Sequence, residues 1–116
     1  MKNFIKNFFS REEESYIPVG VENIENAVRK SITVSGRVQG VGFRFFTQGE
    51  ANKLRLTGWV KNLNNGNVTM EVQGAAADVE ELISRLKKGS GFSKVTDIEI
   101  KDLAIDTEEK KFDIAY

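Results

Sequence analysis

Gly36-Arg37-Val38-Gln39-Gly40-Val41-Gly42-Phe43-Arg44 decides how this chain is read, because it passes from a strand pattern to a helix pattern through closely spaced glycines and ends on an arginine. Upstream, Val28, Lys30, Ile32 and Val34 alternate with Arg29, Ser31, Thr33 and Ser35, the period of a strand with Ile32 and Val34 facing a core. Downstream, Phe43, Phe46, Thr47, Glu50, Ala51 and Leu54 recur at three and four residues, which predicts a helix from about Gly42 to Lys53 with a mostly apolar inner stripe. Glycines let a backbone turn several N–H groups into one hollow, a helix start adds partial positive charge, and an arginine offers two parallel hydrogen bonds to a phosphate. Two readings are open at this point: an anion cradle, or plain loop glycines at Gly36, Gly40 and Gly42. Arg44 bears on the choice, since a cation in the first turn opposes the helix macrodipole and an anion bridging the two removes the conflict.

The remaining pattern completes the architecture. Leu56 to Lys61 reads as a second strand, and Val68, Met70 and Val72 alternate with Thr69, Glu71 and Gln73 as a third. Asn64-Asn65-Gly66 between them is a hairpin signal, Asn and Gly both tolerating positive φ. Val79, Leu82, Ile83 and Leu86 mark a second helix that ends near Gly89 and Gly91. Val95, Ile98, Ile100, Leu103 and Ile105 indicate a further strand whose parity changes between Ile100 and Leu103, which predicts a bulge or bend near Lys101 to Leu103. Phe112, Ile114 and Tyr116 alternate as a last strand. With right-handed crossovers, this order gives an α/β (α+β) ferredoxin-like sandwich: two helices on one face of an antiparallel sheet, plus a C-terminal strand.

Composition limits the chemistry. The 116 residues suit one core, and 17 basic residues balance 17 acidic ones, so no broad attraction to nucleic acid or anionic lipid is expected. Any anion site must be local. The absence of cysteine and histidine excludes disulfides, thiolate chemistry, and the usual general base. Carboxylates show no spacing for a metal or a glycosidase pair, so no metal and no cofactor are expected. No apolar run reaches the roughly 18 residues of a membrane span, and Met1 to Phe9 is too broken by polar residues for a secretory leader, so a cytoplasmic protein is expected.

Beyond this reading, the combination of GRVQGVGFR at Gly36 to Arg44, Thr47-Gln48, LTGWVKN at Leu56 to Asn62, Asn65-Gly66 and the closing Phe112-Asp113-Ile114-Ala115-Tyr116 closely resembles the acylphosphatase family. The match runs from about Ala27 to the C-terminus. It implies hydrolysis of the carboxyl-phosphate bond of small acyl phosphates to carboxylate and inorganic phosphate, without metal. The family's phosphate loop corresponds to Arg37, Val38, Gln39, Gly40, Val41 and Gly42, with Arg44 as catalytic arginine. Asn62, which on composition alone is a residue ending a strand, matches the asparagine that orients the attacking water. Leu63 stands where several acylphosphatases carry threonine, and Gly89-Ser90-Gly91-Phe92 replaces a glycine-proline turn. The alternative function is a noncatalytic phosphate- or acyl-phosphate-binding regulatory module.

Several residues have ordinary structural readings. Trp59, Phe43, Phe46, Phe112 and Tyr116 read as packing residues, Glu80-Glu81 and Lys87-Lys88 as solvated helix faces, and Thr47 as a local cap or helix-backbone partner. Residues 1–26 have no counterpart in the family and form an N-terminal extension to a domain over 27–116. Phe4, Ile5, Phe8 and Phe9 fall there at helical spacing, before an acidic run and the chain's single proline, Pro18. Termini are commonly mobile, which makes a loosely attached extension the plain reading; docking of its aromatic face on the domain, a partner or a second copy is the other. A monomer is expected otherwise.

Overall fold

The computed structural model describes residues 26–116; the aromatic spacing at Phe4 to Phe9 lies outside them. In chain order the elements are β1 (Ala27–Arg37), α1 (Phe43–Lys53), β2 (Thr57–Asn62), β3 (Val68–Ala75), α2 (Ala76–Lys88), β4 (Lys94–Leu103) and β5 (Phe112–Ile114). Across the sheet the strands run β4-β1-β3-β2-β5. The first four pair antiparallel, and β5 joins parallel to β2. This is the expected ferredoxin-like sandwich, with the C-terminal strand making the sheet mixed. α1 packs over β2 and β5, α2 over β3 and β4.

The period-2 pattern sets one face of the sheet against the helices. Register pairs Ile32 with Met70 and Val34 with Val68, and all four are fully buried together with Val60 and Val72. The helices close that face with Phe43, Thr47 and Ala51 from α1 and with Val79, Leu82, Ile83 and Leu86 from α2. Burying each of the larger aliphatic or aromatic side chains is worth about 1.5–3 kcal/mol, so this layer is the main stabilising term. Glu80, Glu81, Lys87 and Lys88 are exposed, as solvated helix faces should be.

Three local expectations change. The β1–β4 ladder is regular from Asp97 to Leu103, so no bulge falls near Lys101; the register shifts instead between Ser35 and Gly36. Asp97 pairs with Ser35 and Val95 with Gly36, which leaves Thr96 as the extra residue. The parity change after Ile100 has another cause: Leu103 points away from the core and Ile105 follows the strand, both partly solvated on an edge. Between β2 and β3, only Gly66 takes positive φ; Asn65 acts through its side chain, accepting from the Asn67 N–H at 3.0 Å. Finally, β5 stops at Ile114, and Tyr116 lies beyond it.

The opposite face carries a charged staple. Arg29 is 5% exposed and donates to Glu71 at 2.9 Å, to Glu109 at 2.8 Å and to Gln73 at 3.2 Å. Gln73 in turn donates from Nε2 to the Asp106 carbonyl at 2.8 Å and accepts the Asp106 N–H at 2.7 Å. These bonds tie the connection between β4 and β5 onto the sheet. Removing the cation leaves two carboxylates unmatched, so Arg29→Ala should cost about 3 kcal/mol in urea denaturation.

Between the helices, Glu50 accepts from Lys53 at 3.1 Å and from Arg85 at 3.0 Å. The hydrogen bond from Lys53, followed by that from Arg85, holds the Glu50 carboxyl below its usual value against an opposing effect of burial. A depressed folded-state value gives stability that is present above the unfolded value and lost as the pH falls through the folded one. Glu50→Gln should therefore lower the denaturation midpoint at pH 7, with the difference from wild type shrinking as the pH falls below the ordinary glutamate value and lost once it has passed the depressed folded-state one.

Candidate active site

The site grows from the β1–α1 junction. Arg37 is the last residue of β1, exposed and paired with Lys94, and Gly36 lies inside the strand at the register shift rather than in the loop. The loop proper begins at Val38, whose side chain is 1% exposed and anchors it to the core, with Val41 packed half-buried beside it. Gly40 and Gly42 adopt φ of 73° and 77°. A Cβ at either position would meet nothing within 4 Å, so what these positions require is the left-handed conformation and not space.

Gly42 is also the N-cap of α1, which starts with no side-chain cap and no acidic residue in its first turn. The first amides of a helix lack intrahelical acceptors and carry the positive end of its dipole. Into that end the sequence places Arg44. Arg44 has five N–H donors, of which one is engaged among the described residues, Nη1 donating to the Ala115 carbonyl at 3.3 Å. Its guanidinium carbon also lies 4.9 Å from the centre of the Tyr116 ring. Two adjacent positive groups with little local compensation make an electrostatic site for an anion.

Asn62 ends β2, one strand removed from β1 in the sheet, and faces the same hollow as this junction. Its Oδ1 is buried and has no hydrogen-bond partner among the described residues. A buried amide oxygen without a donor costs about 1–3 kcal/mol unless something donates to it. Val38, Gly40, Gly42, Phe43, Arg44, Phe45 and Asn62 together line a hollow of about 160 Å³. Of the expected site residues, Val38, Gly40, Gly42, Arg44 and Asn62 thus converge on one space, whereas the side chains of Gln39 and Val41 are engaged elsewhere and that of Arg37 is exposed.

Gln39 has the most telling of these. Its Nε2 donates to the Leu63 carbonyl at 2.7 Å and to the Asn67 carbonyl at 2.8 Å. Leu63 N–H meets the Asn67 carbonyl at 2.8 Å, so one carboxamide clamps the base of the hairpin that begins one residue after Asn62. Loop and hairpin are thereby held at a fixed separation. Thr47 is buried and returns its hydroxyl to the Phe43 carbonyl at 2.9 Å, the helix-backbone reading of that residue, while Gln48 donates to the Phe112 carbonyl at 3.1 Å and fastens β5 to α1. Trp59 sits half-buried across from Glu71 and Asp113, away from the hollow.

Two residues at the site were read as packing aromatics or passed over in the sequence. Tyr116, assigned to a strand face, is 87% exposed over Arg44; Phe45, 68% exposed, lines the hollow. The signal for Phe45 was its position, about 200° around the helix from Phe43 and off the apolar stripe. Among the described residues no group of three or more carboxylates is placed to hold a metal ion, and no helix is long and apolar enough to cross a membrane.

Fold and hollow together define a class: small α+β sandwiches with an arginine-lined hollow between a glycine loop and the end of the strand that follows the first helix. The acylphosphatase family model matches residues 30–114. An acylphosphatase of Clostridium beijerinckii is 56% identical over 89 residues, which cover 77% of this chain and 99% of that protein. The crystal structure of acylphosphatase from Bacillus subtilis superposes with a TM-score of 0.74 at 43% identity, over 77% of this chain and 99% of that one. An acylphosphatase from Coxiella burnetii gives the same TM-score at 32% identity, over 78% and 95% of the two chains. This chain belongs to the acylphosphatase family, and its reaction is hydrolysis of acyl phosphates.

The Gln39 clamp makes a test of how far turnover depends on that separation. Gln39→Ala removes two hydrogen bonds and leaves the Leu63 and Asn67 carbonyls with only their backbone donors, the N–H groups of Gly66 and Leu63, so it should lose about 1–2 kcal/mol of stability. Benzoyl phosphate turnover should fall by about tenfold as the loop and Asn62 lose their register.

Proposed function

We propose that the hollow binds the phosphoryl group of a small acyl phosphate through the backbone amides of Arg37, Val38, Gln39, Gly40, Val41 and Gly42, and through the guanidinium of Arg44. Asn62 holds the attacking water by accepting one of its hydrogens at Oδ1. The buried, unpartnered Asn62 Oδ1 beside Arg44 in a single hollow is the observation that carries this reading. A water donating to Asn62 satisfies that oxygen and has its own lone pair free for phosphorus.

The reaction needs no more than positioning and charge. The water oxygen forms a bond to phosphorus, and the bond between phosphorus and the acyl oxygen breaks. The carboxylate leaves with the bonding electrons. The water's surplus proton ends on a phosphoryl oxygen, giving inorganic phosphate. A carboxylate is a good leaving group, so no general acid is required, in keeping with a chain that contains no histidine. Amides and guanidinium facing the phosphoryl oxygens stabilise the charge spread over them in the transition state, and the carboxamide supplies alignment.

The two roles separate in kinetics. Arg44→Ala should lower kcat/KM for benzoyl phosphate by about 100–1,000-fold and weaken inhibition by phosphate. Arg44→Lys should recover little, since a point charge does not reproduce a planar fork. Asn62→Ala should lower kcat with phosphate inhibition nearly unchanged. An ultraviolet assay with EDTA present reads all three, and full turnover by an alanine variant removes the role given to that residue. Phosphate binding by wild type without any hydrolysis would instead mark a noncatalytic binding module.

A further inference from the structure

An acyl phosphate has a second end, and the hollow has a second kind of wall. Of the residues lining it, Val38 and Phe43 are 1% exposed and already spent on the core, Gly40 and Gly42 have no side chain, and Arg44 and Asn62 are polar. That leaves Phe45 as the lining residue with free apolar surface, 68% exposed in the first turn of α1. Its neighbours explain why it is free: Phe43 and Phe46 pack against each other at 5.9 Å between ring centres and belong to the inner side of the helix. Phe45 adds nothing to that cluster, so its ring is available to whatever projects from the anion end of the hollow.

We propose that Phe45 is the acyl-side wall of the site and that it selects acyl phosphates whose acyl group is aromatic or a large apolar chain over small ones such as acetyl. With the phosphoryl group held at the loop and Arg44, the acyl group leaves the hollow along its rim, where the Phe45 ring offers a flat face to an aryl group. A one- or two-carbon acyl group covers little of that ring and gains little from it. Phe45 is therefore a specificity residue, one that sets which carboxylate is released without taking part in its release. The inference rests on the acyl phosphate reading above.

The experiment compares wild type, Phe45→Ala and Phe45→Leu on benzoyl phosphate and acetyl phosphate. Alongside, calorimetry measures binding of two unreactive analogues, benzoylmethyl phosphonate and acetonyl phosphonate. Phe45→Ala should reduce kcat/KM for benzoyl phosphate by about tenfold, chiefly through KM, while acetyl phosphate changes by less than about twofold. Phe45→Leu should fall between. The benzoylmethyl phosphonate should lose affinity in parallel, and the urea midpoint should stay at the wild-type value because the ring is on the surface. Equal effects on both substrates, or no effect on the benzoyl compounds, overturns the proposal and leaves hydrolysis intact. A wild type that hydrolyses neither substrate, yet binds the benzoyl analogue more tightly through Phe45, removes the hydrolytic reading and keeps the wall. If it neither hydrolyses nor discriminates, both fall.

Discussion

The site depends on an electrostatic conflict at one point in the chain. The positive end of α1 and the guanidinium of Arg44 lie within one helical turn, with no acidic side chain in that turn and no cap from Gly42. In a helix designed only for stability, an aspartate or serine would stand at this end. Here neither stands, and the proposed phosphoryl group would supply the compensation. A protein with no net charge draws no anion by its overall field, so affinity for a phosphoryl group would have to come from a local site such as the proposed one.

The rest of the structure holds that conflict in place. Ile32 and Val34 fix β1, Val38 roots the loop and Phe43 seats α1, all in a layer with almost no solvent access. Gln39 ties the loop to the hairpin below Asn62. A longer chain of dependence reaches Arg44 from the far side of the sheet. Arg29 and Gln73 pin the β4–β5 connection, β5 then lies along β2, the Ala115 N–H meets the Val60 carbonyl at 2.8 Å, and the Ala115 carbonyl accepts from Arg44. The charged staple on the open face thus belongs to the support of the site, although it lies on the other side of the sheet.

Periodicity carried most of the fold. Alternation in β1 and β3 and the three-four spacing of both helices show in the residues because each element buries one face. It failed where burial is partial. Leu103 and Ile105 are apolar on a solvated edge, so their spacing pointed to Lys101–Leu103, whereas the register shift lies at Thr96, where the three-residue step from Val95 to Ile98, both packed against the core, carried the signal. For the site, the positions of Gly40, Gly42, Arg44 and Asn62 were legible through the motif, and the structure brings them to one hollow. The clamp by Gln39 and the approach of Tyr116 to Arg44 were not, since both are contacts across the fold, more than twenty residues apart in sequence. Phe45 was visible only as a ring off the apolar stripe, which by itself says exposed and nothing more.

The central claim is that a phosphoryl group sits between the loop amides and Arg44 with a water held on Asn62. A crystal structure with phosphate bound tests this directly. The account predicts phosphate oxygens within about 3 Å of loop amides between Arg37 and Gly42 and of the Arg44 guanidinium, with an ordered water donating to Asn62 Oδ1 on the side facing phosphorus. Phosphate bound elsewhere, or the Asn62 carboxamide turned away from it, would contradict the account.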